Sequence, residues 1–92
     1  MRRVHLFISG IVQGVCFRAE TLGVAKRIGV NGWARNIPDG RVECLAEGED
    51  SAIDEFIRYC HEGPPGAYVR RVDLTEEKYA GEFSSFEIKY GC

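Results

Sequence analysis

Two segments with apolar residues at helical spacing are set among segments whose apolar residues alternate, and that order restricts the folds open to this chain. Alternation marks a strand burying one face, whereas a three-to-four-residue stripe marks a helix burying one side. Val4, Leu6 and Ile8 alternate with His5 and Phe7, which predicts a strand. Gly10 and Gly14 then interrupt any regular element. Over residues 17–28 the stripe Ala19, Leu22, Ala25 and Ile28 predicts a helix that Gly29 stops. Gly23 inside it costs about 1 kcal/mol relative to alanine.

Residues 32–36 and 41–47 read as two strands around Ile37-Pro38-Asp39-Gly40, whose proline fixes φ and whose glycine accepts a positive one. Val42, Cys44 and Ala46 are expected inside, with Arg41, Glu43 and Glu47 in water. Glu43, Glu47, Glu49 and Asp50 together read as a solvated strand edge and helix start. Ser51 with Asp54 resembles a capping box. Ile53, Phe56, Ile57 and Cys60 mark the inner face of a second helix, which Gly63-Pro64-Pro65-Gly66 ends. Residues 68–74 are β-rich with broken alternation, as at a bulge or a sheet edge. Residues 76–85 are a polar excursion with no assignable element. Phe86, Ile88 and Tyr90 alternate in a last short strand. Two helices with one apolar stripe each are most economically buried on one face of a mostly antiparallel sheet. The expectation is an α+β, ferredoxin-like sandwich, βαββαβ with a short C-terminal strand, forming a single domain over residues 1–92.

Composition narrows the function classes. Ninety-two residues, 45% of them hydrophobic, supply a core for one domain. Twelve Lys and Arg against 14 Asp and Glu give a net charge of −2. No broad basic field therefore points to nucleic acid or membrane, and any bound anion must be caught by a local site. No run approaches the ~20 apolar residues of a membrane span. The apolar run after Met1-Arg2-Arg3 is too short for a signal peptide. Cys16, Cys44, Cys60 and Cys92 form no Cys-x-x-Cys and no zinc-spaced Cys/His pair, so they are expected as reduced, structural thiols. His5 and His61 are expected to stand apart from each other and from any carboxylate cluster. The reading is a cytoplasmic monomer with no metal, no cofactor, and no nucleic-acid or membrane partner.

The chemistry concentrates in Ile8-Ser9-Gly10-Ile11-Val12-Gln13-Gly14-Val15-Cys16-Phe17-Arg18. A strand ends, a glycine-bearing loop follows, and a helix opens at an arginine. Main-chain N–H groups of such a loop can converge on an anion, and a helix N-terminus adds unpaired donors and the positive end of its dipole. Arg18 in the first turn would reach back toward that anion, and its planar fork suits two phosphate oxygens. The candidate phosphate site is thus Ile11, Val12, Gln13, Gly14, Val15, Cys16, Phe17 and Arg18. The same residues also fit a plain connecting loop with Arg18 in a surface ion pair, and on their own they leave both readings open. The pattern is not a nucleotide P-loop, and Cys16 lies too close to Arg18 for a cysteine phosphatase loop.

Gly10-x-Val12-Gln13-Gly14-Val15-x-Phe17-Arg18 resembles the first signature of the acylphosphatase family. Gly32-Trp33-Ala34-Arg35-Asn36, followed by Gly40-x-Val42 and Gly48, resembles the second, in order and at the expected distance. Together they cover residues 8–48. The resemblance implies cofactor-free hydrolysis of acyl phosphates, with Arg18 binding the phosphoryl group and Asn36 positioning water. An acyl phosphate suits such a site, because its weakly basic carboxylate leaves without a strong catalytic base. Cys16 stands where the family commonly has a small residue. It reads as a packing residue in the first instance and as a redox-sensitive thiol beside the anion in the second. Arg70-Arg71 reads as a solvated face rather than a second phosphate contact, and Trp33 as a packing anchor. Two rivals remain at this level. One is a non-catalytic module binding an acyl or carbamoyl phosphate, as in carbamoyl-transferring maturation proteins. The other is an RNA-binding domain on a similar fold, suggested by Leu6-Phe7-Ile8. Against the second, residues 41–46 lack the aromatic pair that base stacking needs.

Overall fold

In the computed structural model, which describes residues 1–14 and 16–89, the alternating segments are strands and the two striped segments are helices. The strands are β1 (Arg2–Ile11), β2 (Asn31–Asn36), β3 (Val42–Gly48), β4 (Tyr68–Glu77) and β5 (Phe86–Lys89), and the helices are α1 (Phe17–Ile28) and α2 (Asp50–Glu62). Tyr90, expected in the last strand, and Cys92 lie outside the described residues. The sheet order is β4-β1-β3-β2-β5, antiparallel throughout except for the parallel pair β2 and β5. This is the expected ferredoxin-like α+β arrangement with its extra C-terminal strand.

Period-two burial builds the core. Val4, Leu6 and Ile8 of β1, Ala34 of β2 and Val42, Cys44 and Ala46 of β3 are fully buried beneath the helices, which contribute Phe17, Ala25, Ile53, Phe56 and Cys60. The α2 stripe is therefore as expected. The buried face of α1 is instead Phe17, Thr21, Val24 and Ala25, with Leu22 and Ile28 only partly buried and Ala19 exposed. The polar Thr21 takes a core position because its hydroxyl donates to the Phe17 carbonyl at 2.7 Å. Counting apolar residues alone rotates the stripe away from it. The expected capping box is absent. Helix α2 begins at Asp50 behind Glu49 with no side-chain cap, and Asp54 accepts from Arg2 at 2.6 Å.

Strand β4 is both an edge and irregular: the register shifts between Ser9 and Gly10, leaving Arg70 bulged between Arg71 and Val69. At Gly10 a Cβ would lie 2.0 Å from the Tyr68 carbonyl oxygen, so only glycine allows the two strands to close there.

Glu43 and Glu47, expected in water, are 5% and 3% exposed. Glu43 is held by His5 and Arg35 across strand pairs, whereas Glu47 is covered by the unassigned polar excursion. β4 and β5 lie at opposite edges of the sheet, so the chain between them must cross it. The main-chain N–H groups of Ala80 and Glu82 both donate to Glu47 at 3.0 Å, and Arg3 donates to it at 3.2 Å. His5, expected apart from carboxylates, places Nε2 2.6 Å from Glu43 and Nδ1 3.3 Å from Glu77. These partners are distant in sequence and meet only across strand pairs. Glu49 and Asp50 are exposed, as expected. Trp33 is half-buried, with Arg35 and Lys89 over its ring at 5.3 and 4.6 Å.

Candidate active site

The site begins where β1 stops. Val12 is fully buried and anchors the loop, after which Gly14 has φ 76° and Cys16 has φ 60°. Cys16 is the only described non-glycine residue with positive φ, a conformation that costs about 1 kcal/mol or more and tends to persist at functional sites. Left-handed residues in such a loop turn successive N–H groups into a concavity. Helix α1 opens directly after it, at Phe17, with Cys16 as N-cap and no side-chain cap bond. The first turn thus opens beside this loop with its N–H donors uncapped by a side chain and the positive end of the helix dipole at the junction.

A cavity of about 330 Å³ lies over this junction. Its polar wall is Gly14, Cys16, Arg18 and Asn36, and its apolar wall is Val12, Phe17, Ala19 and Ile88. Asn36 arrives from the last position of β2, where it pairs with Val42 of β3. Its Oδ1 is buried and accepts no hydrogen bond from the described residues. A buried acceptor left this way costs about 1–3 kcal/mol, which a donor from outside the chain can recover. The cavity therefore brings Arg18, the loop-to-helix junction and the unpartnered Asn36 Oδ1 together.

Of the residues expected to hold phosphate, Val12, Gly14, Cys16, Phe17 and Arg18 line this cavity together with Asn36, whereas Ile11 and Gln13 do not. Ile11 is 59% exposed at the end of β1. The Gln13 side chain turns to the β2–β3 hairpin instead. Val15 lies outside the described residues. Cys16 is exposed beside the cavity rather than packed, because the helix starts after it and leaves its side chain outside the core. Arg70 and Arg71 are exposed away from the cavity, and Arg71 pairs with Asp73 at 2.8 Å. Two lining residues escaped the sequence reading, Ala19 and Ile88. Ile88 is legible only as an inward position of the last strand. Its closeness to the site follows from the parallel pairing that sets it opposite Ala34.

The profile of the family described as Acylphosphatase matches residues 4–88. This chain belongs to the acylphosphatase family. An acylphosphatase of Rubrobacter xylanophilus is 52% identical over 88 residues, covering 96% of this chain and 80% of that one. An acylphosphatase of Syntrophus aciditrophicus is 49% identical over 90 residues, covering 98% and 94%. The crystal structure of the acylphosphatase from Bacillus subtilis superposes with a TM-score of 0.93 at 34% identity, covering 98% of this chain and 100% of that one. The acylphosphatase resemblance thus extends well beyond the two motifs. Relatives of similar length with this name favour neither the carbamoyl-phosphate module nor the RNA-binding domain.

Proposed function

We propose that this chain hydrolyses the carboxyl–phosphate bond of acyl phosphates to a carboxylate and inorganic phosphate. Arg18 and the cavity-lining loop residues Gly14, Cys16 and Phe17 hold the phosphoryl group, and Asn36 orients the attacking water. The observation that carries the reading is the shared cavity, in which the opening turn of α1 faces a buried amide oxygen lacking a partner. Each charge-assisted hydrogen bond to the phosphoryl oxygens contributes about 1.5–3 kcal/mol, so a guanidinium and a few N–H groups give useful affinity. Asn36 accepts one hydrogen of the water and has no charge to repel the incoming anion. The water oxygen forms a bond to phosphorus as the bond to the acyl oxygen breaks. The carboxylate leaves with that electron pair, and both hydrogens of the water end on the phosphate. No strong base is required, since the leaving group is weakly basic, and no step calls for a metal.

We read residues 1–92 as a single domain, a reading supported by the one sheet that joins β1 to β5. No described helix is long and apolar enough to cross a membrane. Cys44 and Cys60 are buried and unjoined, which suits a reducing cytoplasm. We read the active form as a monomer, because the cavity is built from one chain. Sedimentation of the active enzyme at the mass of two chains would contradict this.

Steady-state hydrolysis of benzoyl phosphate, with and without a chelator, tests the activity. Turnover is expected to be the same in both, with a phosphate monoester left intact. Equal cleavage of the monoester, or loss of rate with chelator, would overturn the proposed chemistry.

A further inference from the structure

Gln13 belongs to the candidate phosphate loop by position, yet its side chain serves the hairpin. Its carboxamide nitrogen donates to Ile37 O at 2.8 Å and to Arg41 O at 3.0 Å. An amide nitrogen has two hydrogens, so both are committed there. Arg41 O also accepts from Ile37 N at 2.9 Å, so Gln13 grips the pair that closes the turn. Ile37 directly follows Asn36.

The loop and Asn36 come from strands that are not neighbours, since β3 separates β1 from β2. Both ladders end on the same residue: Ile8 and Asn36 each pair with Val42 as the last rung. Past that rung the sheet no longer sets the distance between the loop and the hairpin, and the Gln13 carboxamide bridges the gap.

We propose that Gln13 is a positioning residue for hydrolysis, holding the phosphate loop and Asn36 at the separation that puts water in line with phosphorus. The inference rests on the water-orienting reading of Asn36 above. The residues that line the cavity for the anion, Gly14, Cys16, Phe17 and Arg18, do not include Gln13, whose side chain bonds only the hairpin, so the Gln13 bridge sets where Asn36 stands and not the anion's donors. Alignment depends on that bridge, and a shift of about 1 Å in such a site can cost about 100-fold in rate.

Gln13→Met keeps the length of the side chain and removes its donors. The expected result is a fall in kcat of about 10- to 100-fold, with KM and the inhibition constant of inorganic phosphate changed by less than about twofold. In an Asn36→Ala background the same substitution should lower kcat by less than about twofold, because the water it aligns has already lost its partner. An unchanged kcat, a loss carried by KM, or an equal loss in the Asn36→Ala background overturns the proposal. Wild-type turnover by Asn36→Ala alone would instead sink the water-orienting reading. Should Gln13→Met fail to fold, proton exchange in the native protein decides. The Gln13 carboxamide protons should exchange much more slowly than an exposed carboxamide, and exchange at the free rate overturns the bridge.

Discussion

Arg18 and Asn36 reach one cavity by different routes, and each route gives a separate prediction. Arg18 is in the first turn of α1, where a planar fork can take two oxygens of an anion at the helix end. Arg18→Lys keeps the charge and loses the fork, so kcat/KM is expected to fall about 100-fold or more with the thermal midpoint unchanged. Near-normal turnover would remove Arg18 as the clamp. Asn36→Ala deletes an orphaned acceptor from the cavity wall. Its kcat should fall about 100-fold, inorganic phosphate should bind as before, and stability should hold or rise by about 1 kcal/mol. If phosphate affinity falls in step with the rate, the division of roles is wrong. Both residues were legible because a loop-to-helix arginine and a strand-end asparagine stand in recognisable motifs. The hairpin contacts of Gln13 were not, since its acceptors are main-chain carbonyls that any residue type could supply.

At the scale of elements, alternation located β1, β3 and β5, whose alternate residues pack beneath the helices, whereas β4 showed only broken alternation, as an irregular edge strand does. What it missed was set by the connection across the other face. Main-chain N–H groups at Ala80 and Glu82 bury Glu47, and nothing in the polar run of residues 76–85 announces them. The stripe of α1 was misread for a related reason, since Thr21 becomes a core residue once its hydroxyl is satisfied within the helix. Glycine positions were legible as interruptions but not as contacts. Gly32, in the middle of the sheet, has φ 145°, and a Cβ there would lie 1.8 Å from the Leu45 carbonyl oxygen. Relief requires β2 to move off β3, which would carry Asn36 with it. Gly32→Ala should therefore cost more than about 3 kcal/mol, lowering the thermal midpoint by about 12 °C or more. A midpoint within a few degrees of the wild type would show that the two strands separate without penalty.

Across the whole molecule the two faces of the sheet divide the work: one packs the helices and opens on the site, while the other holds buried charge. Glu43 lies between His5 Nε2 at 2.6 Å and Arg35 Nε at 2.7 Å, and Glu47 lies among two N–H groups and Arg3. Burial acts to raise both carboxyl pKa values. The His5 and Arg35 hydrogen bonds at Glu43, and those from Ala80, Glu82 and Arg3 at Glu47, outweigh it and hold both below the ordinary carboxylate range. A carboxyl whose pKa is lower folded than unfolded adds stability above its unfolded value, about 4.3, and loses it as the pH falls through the folded value. Stability set by these two groups should thus be level from neutrality to about pH 5 and then decline, with a slope approaching about 2.7 kcal/mol per pH unit while both titrate. The double variant Glu43→Gln, Glu47→Gln should be less stable at pH 7 and decline less steeply in acid, as denaturant unfolding at a series of pH values would reveal. Among the described residues the cavity wall holds no Asp, Glu or His. Loss of activity below pH 4 in the native enzyme should consequently coincide with unfolding. A rate that falls in acid while the fold stays intact would place a titrating group in the reaction that this arrangement of residues does not supply.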